Sequence, residues 1–310
     1  MSLGLTALIK QFTPSPLQVI HDNYLDAQGI ELWIKRDDCL HPIISGNKWR
    51  KLKYSVNHAL SLNVDTLISM GGAYSNHLHA LAYLGKLLPI NTIGLIRGEP
   101  PLILTPTLHD MQSWGMQLRY VSRSDYRNLR HYRQWHELPD LQTGQYWLVE
   151  GGAQAFALLG IAEIITEIDI SYDWLCVACG TGTTLAGLRA SASADISVLG
   201  IAALKNNGFL EKDINQLIPE NNKPYYINNN YAFGGFAKTS PELLNFMAEF
   251  EYKTAITLEP VYTGKLFYAL YDLIKQGYFK RGQRIIALHT GGLQGNRGFK
   301  KDGASKKQVS

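Results

Sequence analysis

Five short aliphatic runs do most to limit what this chain can fold into: Thr66–Met70, Thr92–Ile96, Trp174–Ala178, Ser197–Ile201 and Arg284–Leu288. Each is too short for a helix and nearly free of polar alternation, as a strand buried on both faces requires, and each is separated from the next by room for a helix. The pattern predicts βαβ units and an α/β fold with mostly parallel sheets. At 310 residues the chain has material for two three-layer αβα domains. The expected division is a smaller domain inserted over residues 54–154, with 1–53 and 155–310 forming the larger one. The Asn-rich stretch Glu220–Asn230 is read as a surface loop, and the polar tail Lys300–Ser310 as a frayed end.

Three of the expected strands run straight into glycine-rich turns: Gly71-Gly72-Ala73-Tyr74-Ser75-Asn76-His77, Gly180-Thr181-Gly182-Thr183-Thr184 and Thr290-Gly291-Gly292. Open α/β sheets bind ligands beyond the carboxyl ends of their strands, so the three turns are expected to share one crevice. The Gly180 turn has the chemistry of a phosphate cup. Its glycines let backbone N–H groups curl round an anion, its threonines add hydroxyl donors, and a helix starting near Leu185 would aim its positive end there. It lacks the Gly-Lys-Ser/Thr ending of a Walker loop and the spacing of a dinucleotide site, and a ligand-free helix cap remains the plain alternative.

Lys48, in Ser45-Gly46-Asn47-Lys48-Trp49-Arg50-Lys51-Leu52, is the candidate nucleophile. Desolvation and the neighbouring cations Arg50 and Lys51 are expected to ease the loss of its proton. Read alone, such a lysine is more often a solvated surface charge, and Lys51 is an alternative reactive amine.

Composition removes several classes of function. A hydrophobic share of 45% with 18% charged residues belongs to a packed globular chain, and a net charge of +4 is too small to argue for nucleic acid. No run approaches the roughly 18 apolar residues of a membrane span. The N-terminal MSLGLTALIKQFTPSP lacks a basic start and a long apolar core, and three cysteines give no disulfide framework, so a cytoplasmic location without a membrane partner is expected.

The runs SGNKWRKLKY, GGAYSNH, CGTGTTLAGL, PVYTGK and LHTGG, in this order from about Phe12 to Phe299, resemble the 1-aminocyclopropane-1-carboxylate deaminase and D-cysteine desulfhydrase family. These are fold-type II pyridoxal phosphate enzymes, related to the tryptophan synthase β-subunit and usually homodimeric. The resemblance implies that Lys48 carries pyridoxal 5'-phosphate as a Schiff base, that Asn76 bonds the cofactor's 3′-oxygen, and that Gly180, Thr181, Gly182, Thr183 and Thr184 hold its phosphate. It places Ser75 near the substrate carboxylate as a candidate for proton transfer, with His77 beside it. Tyr262 matches an active-site tyrosine, and Thr290 lies where the family closes the pocket near the pyridine nitrogen.

Ring-opening deaminases typically show VYEGK and HLGG, whereas this chain has Thr263 and Thr290 at those positions, as in the desulfhydrase branch. A neutral hydroxyl near the pyridine nitrogen does not enforce its protonation and leaves the ring a weaker electron sink, which β-elimination of a good leaving group tolerates. The implied reaction is D-cysteine to pyruvate, ammonia and sulfide, with Lys48 as general base. The alternatives are ring opening of the cyclopropane acid to 2-oxobutyrate, or a non-catalytic site for a phosphorylated metabolite. Leu78-His79-Ala80 and Phe236 depart from the family's pattern on the substrate side.

Three further features take plain readings. Cys176 and Cys179 have metal or redox spacing, but they end an apolar strand and read as small buried residues; no metal is expected. His77 and His79, two apart on a helix, make a poor metal pair. Arg119, Arg123, Arg127, Arg130 and Arg133 recur at helical spacing and read as a solvated helix face of the smaller domain.

Overall fold

The computed structural model describes residues 3–206 and 208–299. The tail Lys300–Ser310 lies outside them. The strands are β1 (Leu17–Val19), β2 (Glu31–Lys35), β3 (Thr66–Gly71), β4 (Asn91–Arg97), β5 (Gln117–Val121), β6 (Gln145–Leu148), β7 (Trp174–Cys179), β8 (Ser197–Ala202), β9 (Tyr226–Asn228) and β10 (Arg284–Leu288). They form a six-stranded sheet in the order β1-β2-β10-β7-β8-β9 and a four-stranded sheet in the order β5-β4-β3-β6. Among the described residues only the β1–β2 pair is antiparallel.

The five runs singled out in the sequence are β3, β4, β7, β8 and β10, and they occupy sheet interiors. Their residues are buried along almost every position, which is why the runs lack alternation. The mixed α/β fold with mostly parallel sheets is the one expected. Two readings are corrected. The stretch Glu220–Asn230 contains β9, a three-residue edge strand whose Tyr226 is exposed, so its Asn-rich flanks hid it. The arginine pattern is not one helix: Arg119 lies in β5, the helix is only Arg123–Leu129, and Arg130 and Arg133 follow it. Leu118 and Tyr120, alternating with Arg119, pack on the core and fix β5 as a strand.

The helix Asn47–Ser61 carries Lys48 and joins the two halves of the molecule. Its Trp49, Leu52, Val56 and Ala59 enter the core cluster that also holds Leu78, Leu81 and Leu84 of the helix Asn76–Leu87. On its other side Arg50 is buried among Asp37, Glu167, Lys35 and Ser15.

The turn before this helix is set by Gly46, at φ 71 and ψ −158, with Thr290 pressed against it. A Cβ there would lie 1.8 Å from the Thr290 carbonyl oxygen. Gly46→Ala is therefore expected to cost about 3 kcal/mol or more, through a positive φ and a backbone clash together. Urea unfolding would show this as a lowered midpoint at unchanged slope; a midpoint within error of wild type would contradict it.

Candidate active site

Loops from both sheets meet over a cleft of about 850 Å³. Lys48, Ser75, Asn76, His77, Gly180–Thr184, Tyr262 and Thr290 all line it, so the three glycine-rich turns share one crevice. Each sits just past a parallel strand: β3 delivers Ser75 and Asn76, β7 the threonine-rich cup, and β10 the Thr290 turn.

Lys48 projects from the first turn of its helix and has no hydrogen bond or ion pair among the described residues. Desolvation in the cleft draws its ammonium down to about 8, against the opposing pull of the Glu150 carboxylate. Arg50 takes no part in this shift, because its guanidinium turns away into the buried acidic cluster. Lys51 is 3% exposed, equally without an acceptor, and desolvation followed by the Lys48 charge lowers it strongly. The two amines thus face the cleft wall one helical turn apart.

The cup is built by Gly182, which takes φ 72 just before the helix Thr183–Ser191. The helix starts two residues earlier than the sequence suggested. The Thr181 and Thr183 hydroxyls lie 2.9 Å apart, and Asn47 Nδ2 donates to Thr184 Oγ1 at 2.9 Å. The backbone N–H groups of the first helical turn point into the cup unsatisfied by the helix itself. Tyr262 stands close over it: a Cβ on Gly180 would come within 3.0 Å of the Tyr262 ring. Burial pushes the Tyr262 phenol well above its usual range, so it stays protonated. Phe236 meets that ring edge-on, with centroids 6.3 Å apart.

Ser75 caps the helix Asn76–Leu87, accepting from Leu78 N–H at 3.2 Å and keeping its own proton for another acceptor. Thr290 lies half-buried on the opposite wall. His77 faces the cleft from a deep position, 2% exposed. Ser69 Oγ donates its single proton to the Leu148 carbonyl at 2.7 Å and so can only accept from His77 Nε2, 2.9 Å away. The imidazole is therefore the Nε2–H tautomer, with Nδ1 left without a partner among the described residues. Desolvation, then Lys48 and Lys51, keep it neutral.

Thr263 does not reach the cleft. It is fully buried and hydrogen-bonded to Glu259, whose carboxylate also accepts the backbone N–H groups of Val261, Tyr262 and Thr263. Glu259 lines the cleft, and burial raises it to about 7 despite those bonds. Glu150 is a second carboxylate of the lining, held by Tyr126 Oη at 2.5 Å and Arg130 Nε at 2.7 Å. At the mouth Arg133 pairs with Asp213 at 2.8 Å. Neither carboxylate stood out in the sequence; for Glu259 the signal was its place directly before the run PVYTGK, and for Glu150 there was none. Arg130 and Arg133, read as solvated, are part of the cleft rim.

Cys176 and Cys179 are buried in β7, where burial pushes both thiols up, Cys179 to about 12. No group of three or more metal-binding side chains occurs among the described residues, and no helix there is long and apolar enough to cross a membrane.

The sequence profile of the family described as "Pyridoxal-phosphate dependent enzyme" matches residues 10–291. A Pyrococcus horikoshii protein, provisionally named 1-aminocyclopropane-1-carboxylate deaminase, is 32% identical over 283 residues, covering 86% of each chain. The Arabidopsis thaliana mitochondrial bifunctional D-cysteine desulfhydrase/1-aminocyclopropane-1-carboxylate deaminase is 30% identical, over 86% of this chain and 73% of its own. The crystal structure of an ACC deaminase homologue superposes with a TM-score of 0.76 at 29% identity, covering 96% of this chain and 97% of the other.

Proposed function

The chain belongs to the pyridoxal-phosphate-dependent enzyme family, in its 1-aminocyclopropane-1-carboxylate deaminase and D-cysteine desulfhydrase group, and on that premise we propose that it removes the β-substituent of a small amino acid, D-cysteine foremost. Membership of an enzyme family sets aside the non-catalytic reading of the cup. A cytoplasmic homodimer of two α/β domains, the smaller spanning 54–154, is part of the same proposal.

The donor set fits the cofactor. An unpaired amine at Lys48, a second at Lys51 and a helix N-terminus with threonine hydroxyls together suit a phosphorylated aldehyde. When bound, pyridoxal phosphate supplies a carbonyl for amine capture and a ring that takes up carbanion charge. Gly180–Thr184 would hold the phosphate, whose negative charge would draw a proton back onto the buried Lys51 amine and be offset by it. Asn76 would donate its amide to the cofactor's 3′-oxygen. The substrate carboxylate fits the N-terminus of the helix Asn76–Leu87, where the Ser75 hydroxyl still has a proton to give. With its ammonium drawn to about 8, Lys48 is neutral in part at cellular pH and takes the α-proton. Tyr262, held protonated, is placed to give a proton to the departing thiolate.

The observation that carries the desulfhydrase reading is Thr290, a neutral hydroxyl on the cleft wall, with Thr263 standing where the ring-opening deaminases typically have glutamate but buried outside the cleft. A second reading, ring opening of 1-aminocyclopropane-1-carboxylate, is favoured by Glu259, a carboxyl near neutrality in the same cleft. Sulfide, pyruvate and 2-oxobutyrate would be measured from D-cysteine, L-cysteine and the cyclopropane acid. Sulfide and pyruvate from D-cysteine are expected at about tenfold or more the kcat/KM of any 2-oxobutyrate formation. Turnover of the cyclopropane acid alone would reverse the assignment.

A further inference from the structure

Asn76 has two faces with opposite hydrogen-bonding character, and nothing in its own side chain decides which one meets the cleft. The decision is made by Gln294, in the 3-10 turn Leu293–Gly298 that follows β10. Gln294 Nε2 donates to Asn76 Oδ1 at 2.5 Å and to the Tyr74 carbonyl oxygen at 3.3 Å. On its other side Gln294 Oε1 accepts from Arg297 Nη2 at 3.0 Å and from Thr107 Oγ1 at 2.6 Å. Two of these partners admit only one orientation. A guanidinium can only donate, so it demands the amide oxygen; a backbone carbonyl can only accept, so it demands the amide nitrogen. The Gln294 amide is fixed from both ends.

Asn76 must then turn its carbonyl to Gln294 and its NH₂ to the other side. There Nδ2 has no acceptor among the described residues, and it lies where a Cβ on Gly292 would come within 2.7 Å, on the cleft wall. Arg297 is itself held by Asp110 Oδ2 at 2.7 Å, the carboxylate that also pairs with His79. The relay thus runs from the helix Pro106–Ser113 beside the four-stranded sheet to the turn after β10 of the other sheet, and back to Asn76.

We propose that Gln294 is a positioning residue for the cofactor: pinned by Arg297 and the Tyr74 carbonyl, it compels Asn76 to present a donor, not an acceptor, to the cleft. The inference rests on the pyridoxal phosphate reading above. It also makes cofactor seating depend on contact between the two sheets, since Tyr74, Asn76 and Thr107 belong to one side and Gln294 to the other.

The test compares Gln294→Glu with Gln294→Met in the full chain, reading the dissociation constant of pyridoxal phosphate, the visible absorbance maximum and the thermal midpoint. The glutamate variant keeps the shape and the bonds from Arg297 and Thr107, but it can only accept, so Asn76 must turn its NH₂ inward and its oxygen to the cleft. The methionine variant loses every side-chain bond of Gln294, keeping only the bond that its backbone carbonyl accepts from Arg297 Nε, yet leaves Asn76 free to choose. The expected order is a cofactor affinity about tenfold or more weaker in Gln294→Glu, with a displaced absorbance maximum, and only about threefold weaker in Gln294→Met. A purely structural role predicts the reverse order with an unmoved maximum, and that result overturns the proposal. So does a Gln294→Glu protein that fails to fold, because Arg297 and Thr107 donate to a carboxylate as readily as to an amide oxygen. Failure of the wild type to bind pyridoxal phosphate would instead overturn the functional reading on which the proposal stands.

Discussion

Lys48→Ala is expected to lower kcat by about 10⁴-fold or more for whichever small amino acid the enzyme turns over, because no other group in the cleft combines its reach and its protonation. Lys51, the nearest second amine, is 3% exposed and seated one helical turn deeper, beside Cys179 at the start of the cup. It is placed to meet an anion, not to exchange with an incoming amine. Borohydride treatment of the wild-type protein with pyridoxal phosphate should fix the cofactor on the peptide that contains Lys48. The same treatment of Lys48→Ala should leave the chain unmodified and remove the visible band of the bound cofactor. Lys51→Ala should keep the covalent trapping while weakening cofactor binding about tenfold or more, the loss of a charge-assisted bond to phosphate. Full turnover by Lys48→Ala, or trapping on Lys51, would transfer the role to the second amine.

How far these assignments could be read before the fold was known varied with what each depends on. The five buried strands were legible because burial on both faces leaves an unbroken apolar run, and the glycine-rich turns because each follows such a run directly. The other strands, β1, β2, β5, β6 and β9, are three to five residues long and mostly at or near sheet edges, where polar residues blur the pattern. Arg119, Arg130 and Arg133 misled because a spacing of three or four says helix only when an apolar face shares it.

In the site, Lys48 and the cup were visible in the chain as local motifs. The groups that tune them were not. Glu150 reaches the cleft through Arg130 and Tyr126, and Gln294 reaches Asn76 across 218 positions of sequence. Arg50 shows the limit most plainly. Its neighbourhood in sequence suggested a cation acting on Lys48, yet helix geometry turns residues two apart to different sides and sends Arg50 into the interior. Contacts of this kind are set by packing, and local sequence carries no signal for them.

Arg50→Met is the substitution expected to cost most in stability, about 3–5 kcal/mol, because it leaves two carboxylates without their shared partner inside the protein. Arg50 Nη2 lies 2.7 Å from Asp37 Oδ1 and Nη1 lies 2.8 Å from Glu167 Oε1, while Lys35 Nζ reaches Glu167 Oε2 at 2.7 Å. Burial alone would raise the Glu167 carboxyl, but hydrogen bonds and charge from Arg50 and Lys35 hold it at about 2, against an ordinary 4.5. A carboxylate held below its unfolded value stabilises the fold fully above pH 4.5 and loses that contribution as pH falls through about 2. The variant lacks the Arg50 share of it at neutral pH already. The stability gap between wild type and Arg50→Met should therefore be widest above pH 4.5 and narrow steadily on acidification toward pH 2. Catalysis should suffer as well, since the Asp37 carbonyl accepts Gly46 N–H at 2.9 Å and so secures the turn from which Lys48 is presented. Urea unfolding at a series of pH values measures the gap directly, and a gap that is absent at pH 7 or widens in acid would show that the cluster is not what holds this helix in place.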